Sequence, residues 1–581
     1  MTFPPATSRT SFAGRWLLIV VLVVVLLSLA APAVVLGAET TASSPTEPGP
    51  EEQRFRRRTK PAEPPTPVTP AIEDQTPPYV EPPVSADLRP FPVRTIRVEG
   101  AILIPAEELE RLVAPYEGRE ATLADLRRLA AELTQWLRGH GYVTSRVYLP
   151  PQDVTEGIVT VQIFEGRIGE VRAEGGARWA RPETLVRRMR SRAGAALDYR
   201  LLRGDLAMLN ANLDREISAV LVPGKATGTT DLVLRVDERR PIHVGYLAHN
   251  AGTRTTGRFR QGFVAGHSNL TGHDDQLVIR TEVSERSRFV GTAASFLIPV
   301  GAGGRTFGFD ASHAEVTLGR QFQPLDIEGT ATVLGMTWAE PLWRDERWEL
   351  EWVTGFDGKR IRSKETRSVR GKDDLRVLRL GPSLLERDAF GRSILTTELG
   401  IGFSRFLGGS RKVDAAASRA QTGGQFVRLT VSGGRLQRVW GRLQVLLRGT
   451  WQWTDDRLPP AETLQIGGAE TVRGYPQAEF LGDYGYVGSV ELRIPVPVPI
   501  GLPPRAASPL TFVGFVDTGG AFLRKPLQTE EARRRLTGVG VGLRWALSQH
   551  MAASVDLGLP VGDTSSDENR PQVHYSINAG F

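Results

Sequence analysis

The sequence contains no cysteine. Disulfides, thiolate nucleophiles and thiolate metal sites are therefore excluded. Only 8 histidines occur in 581 residues, with no HExxH and no close pair at metal-ligand spacing, so no cofactor is expected. A phosphate-cradling GxxxxGK[ST], a GxSxG elbow and clustered carboxylates are all missing, which leaves an enzyme without a chemical basis. The net charge of +7 is spread along the chain, with no compact basic module interleaved with aromatics, so nucleic acid is not an expected partner. Past Leu36 no segment has the length of apolar run that a membrane helix needs, about 18 residues or more. Any later membrane span must be a β-barrel, because only closed barrels and helices satisfy their own backbone in lipid.

What is present begins with an export signal over residues 1–38. Arg9 and Arg15 precede an apolar run from Trp16 to Leu29, followed by the small-residue sites Ala31-Pro32-Ala33 and Leu36-Gly37-Ala38. The alternative is a membrane anchor reaching Leu36. Residues 39–90 form a linker punctuated by prolines such as Pro61, Pro64, Pro77 and Pro83, which cannot bury a core. Within it Glu51 to Arg58, EEQRFRRR, runs from acid to base, as the helix dipole favours. It reads as a short helix or as a charged disordered patch.

Residues 91–166 read as one α+β unit. Thr122 and Asp125 form a capping box, and Leu123, Leu126, Ala130, Leu133 and Leu137 make one apolar helix face behind it. The order is β-α-α-β-β. Residues 167–239 repeat it, with a helix from Pro182 to Arg192, a second along Leu202, Leu206, Leu209 and Leu213, and strands split by Pro223-Gly224. Residues 241–581 are alternating strands separated by Gly, Asp and Asn turns. Sixteen strand centres are expected, at Tyr246, Phe263, Ile279, Ala294, Phe309, Leu334, Trp352, Leu380, Leu399, Leu429, Val445, Val490, Phe515, Val541, Val555 and Ile577. A soluble sandwich is the alternative. The large even strand number, the export signal and a last strand with Val573, Tyr575, Ile577, Ala579 and Phe581 on one face favour an all-β transmembrane barrel. Between two of its strands lies Leu464 to Tyr486, LQIGGAETVRGYPQAEFLGDYGY, too long for a passive turn. Its Arg473, followed by Gly474 and Tyr475, is either a specific contact or a solvated surface charge.

Four motifs then carry a resemblance. They are Gly141-Tyr142-Val143-Thr144-Ser145-Arg146-Val147-Tyr148-Leu149-Pro150 with Gln152 and Gly157, Val222-Pro223-Gly224 with Asp231-Leu232, Val472-Arg473-Gly474-Tyr475, and Phe515-Val516-Asp517-Thr518-Gly519. In this order, with a terminal Phe581, the chain resembles the outer-membrane transporters of two-partner secretion, the haemolysin secretion/activation proteins. The resemblance implies two POTRA domains (91–166 and 167–239) in the periplasm of a Gram-negative bacterium, ahead of a monomeric sixteen-stranded barrel in the outer membrane. It implies a secreted partner exoprotein, in part of the family an activated haemolysin or adhesin. It further implies outer-membrane lipid and the barrel-assembly machinery as partners, with Phe581 as the assembly signal. Val472 to Tyr475 would be the tip of a loop folded into the pore. Phe515, Asp517 and Gly519 would be the wall that receives it, and Glu51 to Arg58 the candidate plug helix. A barrel-assembly insertase and a plain porin are the competing readings.

Parity places Arg280, Glu282, Arg442, Arg448, Glu491, Arg493 and Arg544 toward the lumen, together with Thr511, Val513, Phe515 and Asp517, while Phe512 and Val516 face lipid. Arg473 is expected to pair with Asp517. In a wet lumen such a pair is worth about 1 kcal/mol.

Overall fold

The computed structural model describes Pro50, Gln53 and residues 71–75, 89–100 and 103–580, apart from 177, 213, 346, 366–367, 497–509 and 549. The export signal, most of Glu51–Arg58 and Phe581 lie outside the described residues.

The first α+β unit holds strands β2 (Phe91–Val93), β3 (Thr95–Glu99), β4 (Arg119–Ala121), β5 (Arg146–Tyr148) and β6 (Ile158–Phe164). Its helices are α1 (Ala106–Val113) and α2 (Leu123–Gly139). The α2 start is the expected capping box. Asp125 N–H donates to Thr122 Oγ1 at 3.2 Å and Thr122 N–H to Asp125 Oδ2 at 3.0 Å. The Thr122 backbone N–H and hydroxyl also hold the Asp125 carboxyl below the usual range. Leu126, Leu129, Leu133 and Leu137 bury one face of α2 against Val159, Val161 and Ile163 of β6.

The second unit is β7 (Arg167–Gly175), α3 (Pro182–Arg188), α4 (Tyr199–Leu209), β8 (Arg215–Pro223) and β9 (Thr229–Glu238). Two expectations need correction here. The first helix stops at Arg188 rather than Arg192, because Asp205 of α4 captures the backbone N–H groups of Arg190 (2.9 Å) and Ser191 (2.8 Å) that would have continued it. The linker, expected to bury no core, also contributes to one. Its strand β1 (Ile72–Asp74) pairs in parallel with Ala219–Leu221 of β8 and packs Ile72 on the core of this unit.

Residues 242–580 form a closed antiparallel barrel of sixteen strands. In order they are β10 (Ile242–His249), β11 (Arg260–His267), β12 (Gln276–Ser284), β13 (Phe289–Val300), β14 (Arg305–Thr317), β15 (Ile327–Arg344), β16 (Trp348–Glu365), β17 (Ser368–Asp388) and β18 (Gly391–Gly402). They continue with β19 (Phe426–Trp440), β20 (Leu443–Trp453), β23 (Tyr484–Val496), β24 (Leu510–Phe522), β25 (Arg533–Ala546), β26 (Met551–Pro560) and β27 (Gln572–Gly580). β10 closes the ring by pairing with β27. Each expected strand centre falls in a different barrel strand. The outward parity carries Phe263, Leu334, Phe512, Val516, Val541, Val555, Val573 and Ile577, all exposed, as a lipid-facing band requires. Arg442 departs from expectation. It sits in the turn after Gly441, whose φ is 56°, and not on a lumen-facing strand.

Candidate functional site: a pore loop on the barrel wall

The organising loop is longer than the sequence pattern indicates. It spans 454–483, between β20 and β23, and contains its own hairpin of β21 (Leu464–Ile466) and β22 (Phe480–Gly482). The hairpin folds inward. Leu464, Ile466, Val472, Tyr475 and Phe480 pack with Ala521 and Leu536 of the barrel and with Leu523, just past β24, into a small apolar core.

That core changes the electrostatics of the tip. Arg473 and Asp517 are 1 % and 0 % exposed, so the pair is dry rather than wet. Arg473 Nε donates to Asp517 Oδ2 at 2.7 Å, Nη2 to Oδ1 at 2.8 Å, and the Arg473 backbone N–H to Oδ2 at 3.0 Å. This is the two-pronged geometry that a planar guanidinium gives a carboxylate. The Arg473 guanidinium carbon also lies 3.5 Å from the Phe515 ring centroid, a cation–π contact, and Phe515 helps to exclude water. A value of about 1 kcal/mol applies to exposed pairs. Breaking a buried one by removing a single partner costs more, about 3–5 kcal/mol, provided that the orphaned charge stays buried.

The site reaches beyond these two residues. Arg473 Nη1 is 2.8 Å from Glu491 of β23 and 3.7 Å from Asp556 of β26, and Nη2 donates to Ser489 at 3.3 Å. Glu491 is shared with Arg448 (3.0 Å) and Arg493 (2.7 Å), and Asp556 is gripped by both nitrogens of Arg544 at 2.7 and 2.8 Å. Tyr475 donates its hydroxyl to the Asp563 carbonyl at 2.9 Å and accepts Gly562 N–H at 3.0 Å. Higher in the loop, Glu462 is buried against Lys359 of β16 (2.6 Å) and Arg428 of β19 (3.2 Å). Gln465 of β21 donates to the Pro50 carbonyl at 3.2 Å and to Gln53 Oε1 at 2.5 Å, so the N-terminal segment reaches the hairpin.

The glycines fit by close approach. Gly474 has φ 111°, and a Cβ there would meet the Leu559 carbonyl carbon at 2.8 Å. Opposite, a Cβ on Gly538 would sit 1.8 Å from the Arg473 carbonyl oxygen, and one on Gly558 2.5 Å from Gly474 N. A Cβ on Gly519 would come within 3.0 Å of Val472. Gly538, Gly558, Ser489 and Asp556 were not anticipated. The alternating Gly538, Gly540 and Gly542 of β25 are the signal, since they leave one strand face bare.

The model of the haemolysin secretion/activation protein family ShlB/FhaC/HecB matches residues 228–545, and that of the ShlB-type POTRA domain matches 91–166. The chain belongs to this secretion family. It is 23 % identical over 503 residues to the heme/hemopexin transporter protein HuxB of Haemophilus influenzae, covering 82 % of this chain and 85 % of that one. The structure of CdiB from Escherichia coli superposes with a TM-score of 0.73 at 20 % identity, over 91 % of this chain and 97 % of that one. BamA from Haemophilus ducreyi, lacking its POTRA domains 1–3, reaches a TM-score of 0.50 at 14 % identity, over 84 % and 100 %. In fold the chain is therefore nearer to CdiB than to BamA. The protein is a two-partner secretion transporter of the Gram-negative outer membrane, with periplasmic POTRA structure ahead of the barrel, and it works with a secreted exoprotein.

Proposed function

We propose that the tip of the 454–483 loop is the gate of the secretion channel, and that Arg473 and Asp517 set its closed position. One observation carries this reading. Among the described residues, Asp517 takes its carboxylate hydrogen bonds from Arg473, whereas Glu491 and Asp556 each have another guanidinium. When the tip leaves, the wall keeps most of its charge pairing, and Asp517 turns to the water that fills a barrel of this size. The gate is bistable because neither position strands a buried charge. The charged wall then offers hydrogen-bonding partners to an extended polypeptide in transit.

Upstream, the 167–239 unit acts as a second POTRA domain, since its order β7-α3-α4-β8-β9 matches β3-α1-α2-β5-β6 of the first, which adds the short strands β2 and β4. Together the two bind the unfolded exoprotein by adding its strand to a sheet edge. The barrel works as a monomer, reaches the membrane through the barrel-assembly machinery, and uses Phe581 as its insertion signal. Deleting Phe581 lowers the amount of folded barrel, read by heat modifiability in outer membranes.

The decisive experiment co-expresses the transporter with its exoprotein. Arg473→Ala and Asp517→Ala each leave barrel amount near normal and cut secretion sharply. Parallel loss of barrel and secretion makes the pair structural instead. Strictly additive losses in the double mutant show that the two residues do not act on each other.

A further inference from the structure

A second ionic cluster lies at the outer mouth of the barrel, away from the tip. Arg419 belongs to the 403–425 segment that joins β18 to β19, and it is buried. Its Nη1 and Nη2 lie 2.6 and 3.2 Å from the two oxygens of Asp483, the residue before β23. Nη1 also donates to the Leu458 carbonyl at 3.0 Å, just past the end of β20. Asp483 in turn accepts the backbone N–H groups of Leu458 (2.9 Å) and Arg524 (2.7 Å). One guanidinium thus ties the outgoing and returning ends of the pore loop together. Glu530, in the connection between β24 and β25, joins the cluster 3.5 Å from Arg419 Nε and takes Arg457 Nη2 at 2.5 Å.

The segment that carries Arg419 is itself held. β16 and β17 are 18 and 21 residues long. A strand crosses the bilayer in about 9–11 residues, so their outer ends stand clear of it. There Lys372 N–H donates to the Ala416 carbonyl at 2.6 Å, Ser410 N–H to the Asp374 carbonyl at 2.7 Å, and Ser418 N–H to Asp373 at 3.2 Å. The result is an arch across the mouth, from β17 through 403–425 to the root of the pore loop and on to the β24–β25 connection.

We propose that Arg419 is the hinge pin of the pore loop, a positioning residue that keeps the root fixed on the rim while the tip swings. The contrast in partners supports it. At the tip, Glu491 and Asp556 retain other guanidiniums after release, and Asp517 turns to channel water. At the root, Asp483 is bound bidentately by one guanidinium and by two backbone N–H groups, and lifting the root away from Arg419 would strand the buried Asp483 carboxylate. The tip therefore releases first, and the root is the pivot. This inference rests on the reading that tip position controls conduction.

The test uses the purified full-length protein in lipid bilayers, with Ser489→Cys as the sole thiol of an otherwise cysteine-free chain. Ser489 Oγ lies 3.3 Å from Arg473 and is buried under the seated tip, so a hydrophilic maleimide reports departure of the tip. Arg419→Ala, with heat-modifiable barrel as in the parent, raises the labelling rate about fivefold or more, the factor for roughly 1 kcal/mol, and makes single-channel conductance larger and unsteady. Arg419→Lys falls between, because one ammonium cannot span both oxygens of Asp483. Glu530→Gln, a milder change that serves if Arg419→Ala does not assemble, also raises labelling. Parent-level labelling in Arg419→Ala, or in Glu530→Gln where Arg419→Ala does not assemble, overturns the hinge. Arg473→Ala in the same background separates the two ideas: labelling raised without a change in conductance sinks the gate and leaves the hinge to its own labelling result.

Discussion

Two buried arginine–carboxylate clusters in this molecule share their partners in opposite ways. At the joint between the second α+β unit and the barrel, Asp274 of the β11–β12 connection receives Arg215 Nη2 at 2.9 Å, Asn212 Nδ2 at 2.8 Å and the guanidinium of Arg188. Its backbone is left-handed, φ 66°, and its N–H donates to Asn269 Oδ1 at 2.8 Å. At the pore-loop tip one guanidinium meets three carboxylates. At the joint one carboxylate meets two guanidiniums, and Arg188, Arg215 and Asp274 are all buried. Separation at the tip leaves the wall largely paired, whereas separation at the joint leaves two guanidiniums without the charge they share. On the proposed gate, the same chemistry is releasable in one place and permanent in the other, and the difference lies in who else holds each partner.

The largest expected effect follows at the joint. Asp274→Ala removes the shared carboxylate and leaves both guanidiniums buried, a loss of about 3–5 kcal/mol. Folded barrel in outer membranes falls, and the second unit becomes sensitive to protease. An unchanged protease pattern would show that the joint is as releasable as the tip and remove the contrast.

At the tip the corresponding loss is capped. Asp517→Ala cannot cost more than the free energy of docking the loop, because Arg473 can move out into water. Thermal unfolding of the barrel shifts little while channel opening rises strongly, measured as conductance in bilayers. A fall in melting temperature as large as that of Asp274→Ala would mean the tip is a structural weld.

How much of this was legible in the sequence depends on whether a period or a partner carried the information. Strand number was legible because the outward face repeats apolar residues every second position, as Phe512 and Val516 do around the inward Phe515 and Asp517. The capping box of α2 was legible because both of its residues are local. The dryness of the Arg473–Asp517 pair was not, since it comes from Leu464, Ile466 and Phe480 closing over it, and no local pattern states where a hairpin will fold. Strand β1 was hidden by the prolines around it, and the early end of α3 by a carboxylate, Asp205, from the next helix. Arg442 was misplaced because parity counts along a strand and cannot see that the strand has already turned at Gly441. Asp274 was not legible at all, because its two arginines come from a different folding unit.

The smallest effect tests the logic of alternative partners directly. Asp556 is held by Arg544 at 2.7 and 2.8 Å, while Arg473 stands 3.7 Å away from it. Arg544→Gln removes the competing charge and keeps a similar polar volume beside Gly542, whose bare face the Asp556 carboxylate fills. Asp556 then has Arg473 as its nearest cation, and the closed position of the tip gains attraction instead of losing it. An interaction partly screened by channel water is worth about 0.2–1 kcal/mol, which sets the change at no more than about fivefold in the closed-to-open ratio. The sign is the useful part. Arg544→Gln lengthens the closed intervals in single-channel records, whereas Arg473→Ala and Asp517→Ala shorten them. Shorter closed intervals in Arg544→Gln would mean that Arg544 supports the tip rather than competing with it, and the wall would then not be paired independently of the loop.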